Sequence, residues 1–129
     1  MTTLLPTTSD AGVSEAVVVL TTLASEEEAV TLVRALLDRR LVACGTVLAG
    51  ARSLYRWDGK LADEREAVVL LKTVRGRVAA LEAAFAELHP YEVPELLALP
   101  VALGLARYVG WVAAETREGD AEAPPSSSP

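Results

Sequence analysis

The sequence has very little cysteine, histidine or aromatic residue: one Cys and one His among 129 residues, with aromatics at 5%. A single cysteine, Cys44, excludes a disulfide within the chain and suits a reducing compartment. No stretch approaches the ~18 continuous apolar residues of a membrane helix, and residues 1–15 lack the basic and apolar regions of a signal peptide. The sequence therefore predicts a cytoplasmic protein with no membrane partner.

Positive charge is also in short supply. The chain has 12 Lys and Arg against 18 Asp and Glu, which gives a formal net charge of -6. The basic residues form no stripe interleaved with aromatics, so binding to a nucleic acid lacks its main electrostatic requirement. We expect no nucleic-acid partner.

Apolar residues, by contrast, are abundant, at 51% of the chain. That composition and this length predict one folded domain, which we place at residues 16–115. The small and polar residues of segment 1–15 predict a flexible leader. The acidic, Pro-rich and Ser-rich segment 116–129 predicts a disordered tail.

The hydrophobic pattern predicts a regular alternation of strands and helices. Ser25 followed by Glu28 is a capping box that opens a helix, Gly50 indicates a bend within a strand, and Asp58-Gly59 indicates a hairpin turn. The predicted strands are 16–22, 41–48 continued by 53–57, 61–74 and 96–99; the predicted helices are 25–40, 75–88 and 105–112. This βαββαβ order plus a C-terminal helix predicts an α+β, ferredoxin-like split βαβ fold whose antiparallel sheet has a long central hairpin.

Such a sheet has one face without helices and two unprotected edges. A soluble protein must protect exposed strand edges, and self-association is one way to do so. We therefore predict a homo-oligomer that assembles through the hairpin and the last strand.

One short segment, His89-Pro90-Tyr91-Glu92-Val93-Pro94-Glu95, combines a histidine, a tyrosine and two carboxylates with two prolines. Each proline fixes φ and disfavours helix at the residue before it, so the preceding helix should end at Leu88 or His89 in a stiff loop. That loop could hold imidazole and carboxylate groups for a metal or ligand. It could equally be a helix end whose histidine ring satisfies last-turn carbonyls.

Five motifs in this order resemble the CutA divalent-cation tolerance family. They are Leu41-Val42-Ala43-Cys44, the run from Ser53 to Lys60, Glu66 followed by Leu71-Lys72-Thr73, the run from His89 to Glu95, and Tyr108 with Trp111. The resemblance implies a ferredoxin-like homotrimer with a role in the response to copper and other divalent cations. It also implies that bound metal is held by Cys44, His89 and Glu95. The chain departs from the family at Gly45-Thr46, where an asparagine is common.

Each candidate residue also has a structural interpretation. Cys44 could be a small buried hydrophobe, and Glu95 could accept backbone donors at the start of a strand. Lys72 should pair with Glu66 or another carboxylate, or bind an anion, because an unpaired buried lysine is costly. The sparse aromatics, Tyr55, Trp57, Tyr91, Tyr108 and Trp111, should fill the core or an interface more readily than stack on a ligand.

Catalysis would need Cys44 as nucleophile and His89 as base. The sequence offers no oxyanion hole, phosphate-binding loop or nucleophile signature, which favours a non-enzymatic protein. Two functions remain. The first is binding of divalent metal, chiefly copper. The second is a trimeric scaffold or signalling module, similar in plan to the PII nitrogen regulators, that binds a small ligand or partner protein at clefts between subunits.

Overall fold

A computed structural model describes residues 15–118, and the predictions for residues 1–14 and 119–129 lie outside this range. The four strands form one sheet in the order β2-β3-β1-β4 with antiparallel pairing throughout. The α+β, ferredoxin-like prediction is confirmed. The elements are β1 (Ala16–Leu23), α1 (Glu26–Asp38), β2 (Cys44–Trp57), β3 (Lys60–Val74), α2 (Val78–Leu88), β4 (Leu97–Pro100) and α3 (Ala106–Glu115).

Helix α1 begins where the capping signal places it. The Ser25 hydroxyl accepts a hydrogen bond of 3.1 Å from the Glu28 backbone N–H, which satisfies one of the free donors of the first turn. Three acidic side chains in that turn lie at the positive end of the helix dipole. The buried face of α1 consists of Ala29, Leu32, Val33 and Leu36.

The hairpin of β2 and β3 turns at Asp58 and Gly59, whose φ angles of 55° and 76° are both positive. Positive φ at both central residues matches the right-handed twist of the strands, and Asp-Gly adopts it readily. Strand β2 is continuous but carries a bulge between Leu48 and Ala51, where Gly50 has a φ of 80°. The predicted bend at Gly50 is confirmed.

The bulge changes which positions of β2 lie on each face of the sheet. Before it, Leu48 lies opposite Val68; after it, Ala51 lies opposite Glu66. Strand β2 advances by three residues there while β3 advances by two, so one extra residue enters β2. Odd-numbered β2 residues beyond the bulge therefore share the face that even-numbered residues occupy before it.

The two faces of the sheet have different surroundings. Val17, Val19 and Leu71 point toward helices α1 and α2 and belong to the apolar core. Strand alternation places Val18, Lys72 and Cys44, which are cross-strand partners, on the opposite face. Helix α3 reaches this second face near Cys44. Elsewhere the second face carries exposed leucines, among them Leu48, Leu97 and Leu99.

Several boundaries differ from the sequence-based prediction. Leu41, Val42 and Ala43 are buried but precede the strand, and the Ala43 N–H donates to the Lys72 carbonyl at 2.8 Å. Thr116, expected at the start of the tail, is buried and donates from its hydroxyl to the Val112 carbonyl at 2.9 Å. Within residues 15–118, no helix is long and apolar enough to span a membrane.

Candidate functional site

His89 ends α2 in extended backbone, as Pro90 requires, and its ring lies inside the subunit at 7% exposure. Nδ1 accepts a 3.1 Å hydrogen bond from the Tyr91 N–H, so the proton of the neutral ring lies on Nε2, 3.1 Å from Thr21 Oγ1. The ring also packs against those of Phe85 and Tyr91, with centroids 5.2 and 5.1 Å away. Burial lowers the pKa of His89.

Both ring nitrogens of His89 are therefore engaged within the subunit. The interpretation that the ring satisfies carbonyls of the last helical turn is wrong, because its partners are the Thr21 hydroxyl and the Tyr91 N–H. The backbone N–H of His89 donates to the Phe85 carbonyl instead. A metal at Nδ1 would have to displace the Tyr91 N–H.

Cys44 opens β2 on the face of the sheet away from α1 and α2. Its Sγ lies 3.7 Å from the hydroxyl of Tyr108 in α3, and the residue is only partly buried. Burial, followed by the contact with the thiol, raises the pKa of Tyr108. Cys44 is thus a half-buried thiol beside a phenol, rather than an enclosed core residue.

The predicted metal ligands do not converge within the chain. Thr21, the partner of His89, is buried on the helix side of the sheet, whereas Cys44 lies on the other side. No group of three or more His, Cys, Asp and Glu residues between 15 and 118 is arranged to hold a metal ion. The same separation keeps the Cys44 thiol from using His89 as a base.

Glu95 lies elsewhere, in a cleft between the outer part of the hairpin and the proline loop. The cleft has a volume of about 730 Å³. Its loop side is stiffened by two prolines, Pro90 and Pro94, which fix φ on either side of Tyr91. The lining residues are Thr22, Ser53, Leu54, Tyr55, Trp57, Glu66, Pro90, Tyr91, Glu92, Val93 and Glu95.

The bulge in β2 directs the hairpin side chains into this cleft. Beyond it, Ser53, Tyr55 and Trp57 lie on the same face as Glu66, as the pairing of Ala51 with Glu66 and of Tyr55 with Ala62 requires. Trp57 is 57% exposed in the subunit. Tyr55 and Trp57 therefore do not fill the core of the subunit.

Glu66 is the most buried carboxylate of the cleft, at 8% exposure. Its Oε2 accepts a 2.6 Å hydrogen bond from the Tyr91 hydroxyl. Burial raises the pKa of Tyr91, and the Glu66 carboxylate raises it further, so the phenol stays protonated and keeps donating. Both residues belong to motifs identified in the sequence, but their pairing across 25 positions was not predicted, because no local pattern indicates it.

Lys72 does not pair with Glu66. The two residues are six positions apart on β3, about 20 Å along an extended strand. The Lys72 ammonium donates instead to the Thr46 hydroxyl at 2.8 Å. Gly45 leaves no room for a side chain, because an added Cβ would lie 2.9 Å from Val33 Cγ1 and 3.0 Å from Leu71 Cδ2. Glycine at this position lets α1 pack closely on the sheet.

Three of the five sequence motifs meet at the cleft. They contribute the aromatic run of the hairpin, Glu66 of β3 and the proline loop. These segments are far apart in the sequence and come together only through the bulged hairpin and the turn after α2. Residues of three motifs also meet around Cys44, which pairs with Lys72 across the sheet and contacts Tyr108, but of these two places within residues 15–118 only the cleft encloses a volume that could hold a small molecule.

Comparison with known proteins gives a consistent result. The sequence profile of the family described as CutA1 divalent ion tolerance protein matches residues 17–115. The chain is 44% identical over 108 residues to a divalent-cation tolerance protein CutA of Citrobacter koseri, covering 84% of this chain and 94% of that protein. It is 41% identical over 99 residues to the CutA of Thermus thermophilus, covering 77% and 96%. A crystal structure of CutA from Xylella fastidiosa superposes with a TM-score of 0.78 at 36% identity, covering 81% of this chain and 100% of that one.

Proposed function

Because the chain belongs to the CutA1 divalent ion tolerance family, we propose that it acts in the response to divalent metal as a non-enzymatic homotrimer that binds such ions, chiefly copper. The observation that carries this proposal is the match of residues 17–115 to that family. Because the sheet separates Cys44 from His89, a site that uses both residues needs donors from more than one subunit.

The proposed ligands are Cys44, His89 and Glu95, contributed by different subunits. Thiolate, imidazole and carboxylate are reasonable donors for copper, and thiolate favours Cu(I). Cys44 is partly accessible on the face that the assembly would cover, and Glu95 lines an open cleft. His89 would exchange its bond with the Tyr91 N–H for the metal.

The proposed interface is formed by the hairpin and β4. Strands β2 and β4 are the two edges of the sheet, and edges of this kind pair readily with other chains. Leu54 on the hairpin and Leu97 on β4 are 59% and 54% exposed in the subunit. Burying such leucines stabilises an assembly by about 25 cal/mol for each Å² removed from water.

We place the protein in the cytoplasm, with neither nucleic acid nor membrane as a partner.

The test is an anaerobic titration of the oligomer with Cu(I), Cu(II) and Zn(II). We expect saturable binding of copper that Cys44→Ser, His89→Ala and Glu95→Gln each weaken about tenfold or more, because loss of a direct ligand should cost at least as much as loss of an outer-shell partner, about 10–100-fold. The control is Glu82→Gln, which changes an exposed carboxylate on α2. A variant that dissociates the trimer should lose the site. Tight binding that survives all three ligand changes would disprove this site.

A second function is favoured by the cleft itself. We propose that the cleft binds a small ligand, as in a trimeric scaffold or signalling module. Its support is the volume of about 730 Å³ and the meeting of three motifs there. Ligand pockets in proteins have volumes of roughly 300–1,000 Å³ and usually combine apolar walls with a few polar groups. This function and metal binding use different residues, apart from Glu95.

A further inference from the structure

The charge of the cleft is one-sided. Glu66, Glu92 and Glu95 line it, and none of the lysines and arginines between residues 15 and 118 does. The ion pairs among residues 15–118 leave these three carboxylates out, since they use Glu15, Asp63, Glu87, Glu115 and Glu118. The cleft therefore attracts a positive charge that the subunit itself does not supply.

Glu66 is the carboxylate that a positive charge in the cleft would stabilise most. A carboxylate that is 8% exposed has lost most of its hydration, and its hydrogen-bond donor is the neutral hydroxyl of Tyr91. Removing a carboxylate from water is costly, and a cation held at hydrogen-bond distance offsets that cost best. Tyr91 fixes the carboxylate in place before any ligand arrives.

The remaining walls fit the body of an organic molecule. Tyr55 and Trp57 present ring surfaces from the hairpin, and Val93 of the proline loop adds apolar surface. Aromatic faces attract ammonium and guanidinium groups, and they also stack on flat or apolar groups. A bare metal ion would use little of a cleft of about 730 Å³, and no three metal-binding side chains converge within residues 15–118.

We infer that the cleft binds a small organic cation, in which an ammonium or guanidinium group reaches Glu66 and an apolar body lies against Tyr55 and Trp57. This inference rests on the second proposed function and names its ligand class. It does not depend on copper binding.

The test compares three probes with the same phenyl body: phenethylammonium, 2-phenylethanol and 3-phenylpropionate. Their binding to the full-length oligomer is measured at low salt by ligand-observed NMR and by tryptophan fluorescence. We expect phenethylammonium to bind about tenfold or more tightly than either analogue. Glu66→Gln should remove most of this preference, because an amide still accepts from Tyr91 but carries no charge. Glu82→Gln, outside the cleft, should leave the preference unchanged.

Two further variants complete the test. Trp57→Leu should weaken the cationic and the neutral probe alike, because it removes ring surface rather than charge. The same variant shows whether the fluorescence change comes from Trp57, since the other tryptophan, Trp111, lies in α3. If Glu66→Gln does not fold, Glu95→Gln should still reduce the preference for the cation.

The outcomes distinguish the cationic ligand class from the more general proposal that the cleft binds a small ligand. Binding of the neutral or anionic probe as tight as that of the cation, and sensitive to Trp57→Leu, would overturn the cationic class and leave the cleft as a ligand site. Failure of all three probes to bind would overturn both. If Glu66→Gln then also weakened the oligomer in sedimentation, a basic group of a neighbouring subunit would be the partner of Glu66 instead.

Discussion

The hydroxyl of Tyr91 donates a 2.6 Å hydrogen bond to the carboxylate of Glu66, joining the proline loop to the base of the hairpin. The two residues are 25 positions apart in the sequence. Their contact holds one wall of the cleft against the other. It also leaves a buried carboxylate facing a cleft that, in the described part of the chain, no basic side chain lines.

Replacing Tyr91 by phenylalanine tests how much the hydrogen bond to Glu66 contributes to the free energy of unfolding. The change leaves Glu66 without its donor, and an unsatisfied buried acceptor costs about 1–3 kcal/mol. We expect a decrease of that size in the free energy of unfolding, measured in urea at a fixed protein concentration. Tyr108→Phe is the matched control, since its hydroxyl contacts only a weakly bonding thiol at 3.7 Å. Equal losses in the two variants would contradict the assignment.

Gly45→Ala should destabilise the subunit because the added methyl meets Val33 and Leu71 at 2.9–3.0 Å. Overpacking of this kind costs about 1–3 kcal/mol. Gly76→Ala provides the control, because nothing lies within 4 Å of its added carbon. The measurement is the free energy of unfolding of both variants, and a Gly45→Ala protein as stable as the wild type would show that α1 can move away freely.

The stability of the subunit should depend on pH through His89. Its folded-state pKa is lowered below the ordinary value of 6.5, so the unfolded chain binds more protons as the pH falls through 6.5. Stability is therefore complete above that pH and is lost as the pH falls toward the folded-state pKa. His89 is the single histidine of the chain, which makes the assignment direct.

The measurement compares urea unfolding of the wild type and His89→Gln between pH 7.5 and pH 5, with a chelator present. Acidic groups are common to both proteins, so their contribution cancels in the difference. We expect the wild type to lose more stability than the variant over this range. Parallel pH profiles would show that the ring is protonated equally easily in the folded and unfolded chain.

The proposed oligomer should dissociate when a charge is placed on the hairpin. Leu54→Asp puts a carboxylate where the proposed interface buries an apolar side chain, and burying an unpaired charge is strongly unfavourable. Sedimentation velocity at micromolar concentration should then report a smaller species than the wild type. Leu37→Asp is the control, because Leu37 is an exposed leucine on α1, an element outside the proposed interface. A Leu54→Asp protein that keeps its size would rule out this part of the interface.

Much of the fold could be predicted because its signals are local. The Ser25 cap, the Asp58-Gly59 turn and the prolines around Tyr91 each act through backbone geometry within a few residues. The boundary at Leu41 to Ala43 was less accurate, because these residues are apolar and buried in a loop that looks like strand in sequence. Burial alone does not separate a buried loop from a strand.

The site was less predictable because it depends on where strands place side chains. Cys44, His89 and Glu95 are chemically suitable ligands, but only the register shows that Cys44 and His89 lie on opposite faces of the sheet. Of the partners considered for Lys72, Glu66 is excluded by the length of extended strand between the two residues, and the Thr46 hydroxyl, which the ammonium contacts instead, lies on the neighbouring strand. The Tyr91 contact to Glu66 joins loop and strand in three dimensions and has no local signature.

The bulge at Ala49 and Gly50 limits how the hairpin can change in length. Between it and the turn, the cleft receives Ser53, Tyr55 and Trp57 from alternate positions. Inserting or deleting one residue between the bulge and Tyr55 would turn both aromatic rings to the opposite face of the sheet, while adding or removing two residues on each strand would preserve their direction. In related chains that keep this cleft, the length of each strand in the outer hairpin should therefore differ by even numbers of residues.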